Sequence, residues 1–408
     1  MNRIPIEFII KIFLVLYVVF NMTTLRYSLG LTSISTIFNA SIYILVACAI
    51  GHGLAFSKLS SIQIVSLILI FFLSLASFIN VFLNFSFVSF LQAIDFLLPW
   101  LAIAMVLANK DIMLINYKSY LQWFNSFLVI VCLIGLLEYI AIFSLGYRPP
   151  IMELNAGMGE YYVGYSTLLQ KIYNLDVPYF RFQGPFLESG DLAMWGSIFV
   201  VYNLLRFKYV YAAILLFAIF GSFSPSAFIS LALAFLIYIQ TRSAIVMPIM
   251  MAIACISIVI YMNDILDLYN NIMDMKVGSL DDRLVTNLDF IDKFYFLINA
   301  YPFGVPFFES TNDKIASGVG FTANYGPIGS YMTGGVIAFL IYIIFSLYFL
   351  FLSVFKILLN PNFIENELYV YYIMLFSYVI QRGSFFEYAI SALLFAPIFF
   401  DKFRIRSI

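Results

Sequence analysis

Charge is what this chain most lacks. Asp, Glu, Lys and Arg make up 11% of its 408 residues, where soluble globular proteins carry about 25%. So small a supply cannot cover a water-facing surface, which excludes a soluble enzyme of two or three domains. The 21 basic and 22 acidic residues nearly cancel, so no net field points to nucleic acid as a partner. There are three cysteines, Cys48, Cys132 and Cys255, with no CxxC spacing. They are too few and too scattered for a disulfide framework or a zinc site, and each is expected to be a small buried hydrophobe. The one histidine, His52, lies away from the long loops and reads as an interfacial polar residue rather than a base. No GxGxxG, Walker, HExxH or EF-hand pattern occurs, so neither a nucleotide-driven reaction nor a cofactor or protein-held metal is expected.

What remains is apolar. Hydrophobic residues make up 63% of the chain and aromatic ones 19%. A bilayer core about 30 Å thick takes roughly 20 apolar residues per helix. On that rule the chain is an all-α polytopic membrane protein of about twelve spans: 6–22, 34–56, 61–80, 86–108, 121–145, 189–205, 208–221, 224–240, 243–262, 326–355, 367–381 and 385–400. The short pair 208–221 and 224–240 reads either as two spans or as one broken element. The runs are continuously apolar rather than alternating, which favours helices over a barrel. The first run has no small-residue cleavage site and reads as a span, not a removable signal peptide.

Basic residues set the orientation. With the N-terminus cytoplasmic, the inner segments carry Arg3, Lys11, Lys58, Lys110, Lys118, Arg206, Lys208, Arg242, Lys356, Lys402, Arg404 and Arg406, while the short outer connections carry Arg26 and Arg382. Both termini are then expected inside. The whole of 1–408 is one integral membrane domain, broken by two long outer loops, 146–188 and 263–325. Loops longer than about 12–15 residues are usually functional. The first is rich in Gly, Pro and Tyr. The second holds nine acids against four bases. It is expected to contain an amphipathic helix near 283–300, with Leu284, Leu288, Ile291, Tyr295 and Ile298 on its apolar stripe.

Arginines facing a half-buried cavity would suit phosphate, because guanidinium stays charged and forks two hydrogen bonds. Arg148, Arg181, Arg283 and Arg382 all fall on the outer side. For any one of them taken alone, solvation or pairing with nearby acids is the better account, and Asp281 and Asp282 stand beside Arg283. Arg181 is set apart by its context, Arg181-Phe182-Gln183-Gly184-Pro185-Phe186-Leu187-Glu188-Ser189-Gly190-Asp191, where a base, a tight turn and two acids meet as the loop re-enters the membrane. Glu188 is the first candidate general base and Asp191 its rival. Asp95 and Glu138 lie inside spans, where carboxylates are costly and often functional, though a neutral carboxyl bonded to a helix backbone explains Asp95 equally well.

Three stretches resemble the outer loop of a known superfamily: Asp282-Arg283-Leu284, Tyr301-Pro302-Phe303-Gly304-Val305, and Asn324-Tyr325-Gly326-Pro327-Ile328-Gly329. They look like the O-antigen polymerases and O-antigen ligases, in which an arginine opens a membrane-skirting helix, a Pro-x-x-Gly-Val-like turn follows, and an Asn precedes a Gly-rich span. Arg181–Phe186 is similar to the other arginine loop of that family. Lipid A core ligases carry a His just before the Asn; here the position is Ala323, which favours the polymerase branch.

The resemblance implies a GT-C-like bundle in a bacterial inner membrane. It would be a metal-independent glycosyltransferase that polymerises undecaprenyl-pyrophosphate-linked repeat units of a surface polysaccharide at the outer face. Lipid-linked oligosaccharide donor and acceptor, the bilayer and a chain-length regulator are the implied partners. Arg181, Arg283 and Arg382 would hold pyrophosphate, and Glu188 or Asp191 would take the proton. Tyrosines of 146–188 (Tyr147, Tyr161, Tyr162, Tyr165, Tyr173 and Tyr179) would stack on sugar rings. The alternatives are an O-antigen ligase, a lipid-linked oligosaccharide flippase, or a non-enzymatic assembly or sensor protein. A flippase would be expected to have short loops and charges along an inner cavity.

Overall fold

Ser61–Leu83 holds no glycine or proline and forms one unbroken helix, α1. In the computed structural model the described residues are 61–83, 87–145, 151–153, 160–163, 168–172, 179–186, 189–222, 224–242, 293–305, 326–359 and 369–374, with isolated positions between 43 and 59. The further helices are α2 (Phe87–Ala108), α3 (Lys110–Leu145), α4 (Ser189–Leu205), α5 (Tyr209–Gly221), α6 (Pro225–Arg242), α7 (293–300), α8 (Gly326–Leu359) and α9 (369–374). The runs expected at 61–80, 86–108, 189–205, 208–221, 224–240 and 326–355 coincide with α1, α2, α4, α5, α6 and α8. Spans 6–22, 243–262 and 385–400, and most of 34–56 and 367–381, lie outside the described residues, as does His52.

Among the described residues three helical stretches are long and apolar enough to cross a membrane: Gln63–Leu83, Leu121–Ile142 and Ile328–Ile357. Their outward faces are apolar at helical spacing, as at Phe71, Phe78 and Phe82 on α1, Ile130, Leu133 and Leu137 on α3, and Leu340, Ile344 and Leu347 on α8. Water does not tolerate such continuous exposure, whereas lipid requires it. α3 begins eleven residues before the expected span. Lys110–Tyr120 is too polar to count as membrane, yet nothing in it stops a helix, and its 36 residues reach about 54 Å at 1.5 Å per residue.

Direct contacts give the directions of the helices. The Gln63 amide on α1 donates to the Leu107 carbonyl of α2, and Asn80 at the other end of α1 donates to α8 at Thr333. The Trp100 ring of α2 meets Phe345 of α8 edge-on at 5.2 Å. On α3, Phe124 meets Trp195 and Phe199, while Tyr139 meets Phe182 just before α4, so α3 and α4 run antiparallel. Asn125 and Asn203, both fully buried, exchange amide hydrogen bonds of 3.1 and 2.7 Å between these two helices. α9 closes the bundle, with the Tyr372 hydroxyl donating to the Ser346 carbonyl and Tyr371 against Tyr202.

α4 is the centre. Every residue of it except Leu204 is buried, as expected of a helix apolar all round. α5 and α6 are separate helices joined through 222–224, and each lies against α4. Gly196 of α4 faces Ile219 of α5, so a Cβ there would come within 2.8 Å of that side chain.

The first long loop was read as a connection rich in Gly, Pro and Tyr within an all-α protein, with no strand assigned to it. Instead it contains an antiparallel sheet in the order β1 (Ile151–Glu153), β2 (Glu160–Val163), β3 (Leu168–Ile172) and β4 (Tyr179–Gly184). The strands are only three to six residues long, too short for alternation to stand out in sequence, and pairing with neighbours decides them. Arg181 pairs with Gln170, which pairs with Tyr161, which pairs with Met152; the adjacent row is Phe182, Leu169, Tyr162 and Ile151. Of the cysteines, Cys132 is buried as expected, but Cys48 is exposed.

The bundle therefore has two unlike ends. One carries the sheet, the start of α4, and the turn after α7. The other carries Lys110, Lys118, Arg206, Lys208, Arg242 and Lys356 in or beside the helix connections. At that basic end α4 stops on a left-handed residue that is not glycine, Phe207, at φ +60°. Such a conformation costs an ordinary side chain roughly 1–2 kcal/mol.

Candidate functional site

The sheet end is built from two anchored pieces. In the first, Phe182 is completely buried, edge-on to Tyr139 of α3 at 6.1 Å and beneath Gly221 at the end of α5. That plug fixes β4, and with it the backbone of Arg181. Directly after, the Phe186 N–H donates to the Gln183 carbonyl at 3.2 Å, closing the Gly184-Pro185 turn read in the sequence. Gly184 takes φ +58°, with Leu192 of α4 within 3.3 Å of where a Cβ would stand. The chain then enters α4 at Ser189, and Asp191 lies buried in its first turn. A carboxylate is favoured there, because the helix N-terminus presents unpaired N–H groups and the positive end of the dipole. β4, the turn and the start of α4 thus bring Arg181 and Asp191 to one end of the central helix. Glu188 lies outside the described residues, within the short connection between Phe186 and Ser189.

In the second piece, Tyr301-Pro302-Phe303-Gly304-Val305 docks on a break in α8. The break falls at Gly334 and Gly335, where φ/ψ are −136°/18° and 66°/−154°. Because the helix ladder is interrupted there, backbone groups become available to the turn. The Val305 N–H donates to the Met332 carbonyl at 3.0 Å, and the Val336 N–H to the Pro302 carbonyl at 3.1 Å. The Asn80 amide of α1, 1% exposed, donates at 3.0 Å to Thr333 and at 3.4 Å to both Met332 and Val305. The Tyr331 hydroxyl donates to the Tyr301 carbonyl at 3.0 Å. Leu297, Val305, Ile328, Tyr331 and Met332 form a small core of their own beneath the turn.

The helix expected near 283–300 is described over 293–300, and its buried face differs from the one expected. Leu297 is buried, with Phe294 and Ile298 partly so, while Tyr295 is 82% exposed. The aromatic contacts of Phe294 with Tyr331 and Phe339 set the rotation, and no helical wheel contains them. Arg148, Arg283 and Arg382 lie outside the described residues, as do Ala323 and Asn324. Asp95 falls within α2, and Glu138 is half-buried in α3, one residue before the Tyr139 that meets Phe182.

Three residues of this arrangement escaped sequence reasoning: Asn80, Gly334 and Gly335. The available signals were an amide deep in an apolar run and a glycine doublet inside a long span. Removing the Asn80 donor should leave buried carbonyls unsatisfied, at about 1–3 kcal/mol. Asn80→Leu is accordingly expected to melt lower in detergent and to speed maleimide labelling of a cysteine placed at Phe303. Unchanged labelling would mean that the turn stays docked without it.

Among the described residues no three His, Cys, Asp or Glu side chains gather as metal ligands. Comparison with protein-family profiles, characterised proteins and solved structures gives no match.

Proposed function

We propose that the chain is a multi-pass glycosyltransferase of about twelve spans with both termini cytoplasmic, polymerising lipid-linked oligosaccharide repeat units at the outer face of a bacterial inner membrane. The observation that carries this reading is the placement, at the same end of the bundle, of the Arg181 strand, the Asp191 helix end and the docked Tyr301–Val305 turn, opposite the basic connections. The Arg181 strand and the Tyr301–Val305 turn carry two of the motifs that resemble the polymerases. Their end of the bundle is the outer one under the positive-inside rule.

The reaction needs two kinds of group. The acceptor sugar hydroxyl attacks the anomeric carbon of the donor chain. A new C–O bond forms there as the bond to undecaprenyl pyrophosphate breaks, and the hydroxyl proton passes to a carboxylate, Glu188 or Asp191. Negative charge grows on the departing pyrophosphate, and arginines already in place stabilise it without rearrangement. Arg181, Arg283 and Arg382 are assigned that role. Arg→Lys keeps the charge but loses the planar two-pronged donor, so Arg181→Lys and Arg283→Lys are each expected to give shorter and much scarcer polymer. Near-normal polymer from Arg283→Lys would mean that it merely pairs with Asp281 or Asp282.

Purified protein incubated with lipid-linked repeat units tests the whole reading. A ladder of longer lipid-linked glycans is the expected product. Transfer to lipid A core would make it a ligase, and no glycan product would favour a flippase or an assembly partner.

A further inference from the structure

At the basic end of the bundle, α4 closes on a Schellman turn. The Lys208 N–H donates to the Asn203 carbonyl at 2.8 Å, and the Phe207 N–H to the Leu204 carbonyl at 3.2 Å. The left-handed position in this motif usually belongs to glycine, but here Phe207 occupies it. Its side chain is 62% exposed and meets the Tyr209 ring edge-on at 6.2 Å; Tyr209 and Val210 are exposed as well. Two cations flank the ring. The Arg206 guanidinium lies 4.6 Å above Tyr202, and the Lys208 ammonium 5.6 Å above Tyr211.

Two observations identify what this turn faces. From residue 192 to 263 the sequence contains no Asp or Glu, while it contains Arg206, Lys208 and Arg242. The exposed apolar surface also continues from Val210 up α5 through Phe217 and Phe220, so the turn stands where a lipid-facing surface meets the aqueous boundary. Aromatic rings and cations side by side are the composition that suits that boundary.

We propose that 206–211 is a docking surface for anionic phospholipid headgroups. Arg206 and Lys208 engage lipid phosphate, and Phe207, Tyr209 and Val210 are seated at the edge of the acyl chains. The left-handed Phe207 is the device that turns an aromatic ring outward at the point of the tightest bend. This inference is independent of glycosyl transfer.

The full chain carrying Phe207→Trp, reconstituted in lipid nanodiscs, provides the test, with the emission of the parent's three tryptophans subtracted. Lipids brominated near the headgroup should quench Trp at 207. Brominated phosphatidylglycerol should do so more strongly than brominated phosphatidylcholine at equal mole fraction, by roughly fivefold per cation. Arg206→Gln with Lys208→Gln should bring the two lipids to equality. Quenching by aqueous acrylamide but not by brominated lipid would overturn the proposal, and so would equal quenching by the two headgroups without the Gln changes.

Phe207→Gly supplies an independent reading. It should melt no lower than the parent in detergent, because glycine suits the left-handed position. It should also lose the stabilisation that added phosphatidylglycerol gives the parent. A lower melting temperature in detergent, or an undiminished response to phosphatidylglycerol, would show that the ring serves the protein interior instead.

Discussion

Glu188→Gln is expected to fold, to bind lipid-linked substrate and to polymerise it roughly 10²–10⁴-fold more slowly, the usual loss when a general base is removed. Gln keeps the shape of the side chain and removes its basicity, so a binding role and a proton role separate cleanly. Its place in the sequence, after the Gly184-Pro185 turn and just before the apolar run of α4, makes Glu188 the first candidate. The closed Gln183–Phe186 turn ends two residues before it, and α4 begins one residue after it. In the chain it stands between the strand of Arg181 and the start of the central helix.

Asp191 competes for the same role, and its burial in the first turn of α4 suits a carboxylate that holds a sugar hydroxyl or steadies the helix end. Measured turnover decides between them. Normal rates in Glu188→Gln with loss in Asp191→Asn would move the base to Asp191. Normal rates in both would leave the reaction to the arginines and to orientation of the two substrates.

Gly335→Ala should have the largest effect on structure. At φ +66° the residue is in a region where L side chains are strained, and a Cβ would stand 2.0 Å from the Pro302 carbonyl oxygen and 2.6 Å from two backbone atoms of Phe303. Backbone atoms cannot rotate out of the way as a side-chain tip can, so the turn must leave its seat. The hydrogen bonds of Val305 and Val336 and the seat of the small core under Leu297 would go with it. The expected loss is about 4 kcal/mol or more, in the range reserved for a broken packing network or strain at a special φ/ψ. The checks are a large fall in melting temperature in detergent and rapid maleimide labelling of a cysteine at Phe303.

Gly196→Ala is the internal control for that prediction. A Cβ there meets only the Ile219 side chain, at 2.8 and 2.9 Å, which can shift its rotamer, so a smaller loss is expected. If Gly335→Ala melts and labels like the parent, the turn is not held by the α8 break.

Several elements could be read directly from the chain. The runs that became α1, α2, α4, α5, α6 and α8 were visible because continuous apolarity is a property of consecutive residues. The Gly184-Pro185 turn was visible for a similar reason, since its chemistry is local. The separation of basic connections from the sheet end could also be read, because it depends only on the order of charges along the chain.

Tertiary structure decided the rest. The strands of 151–184 are set by pairing with the neighbouring strand, and segments this short carry little signal alone. The buried face of α7 depends on Phe294 meeting Tyr331 and Phe339, more than thirty residues along the chain. In the sequence Asn80 is one polar residue in an apolar run, and Gly334-Gly335 a doublet inside a long span. Their meaning lies in the carbonyls of Met332, Thr333 and Val305, which only the folded chain brings to one amide. Buried backbone groups must find donors wherever the fold leaves them, and sequence order does not record who those donors are.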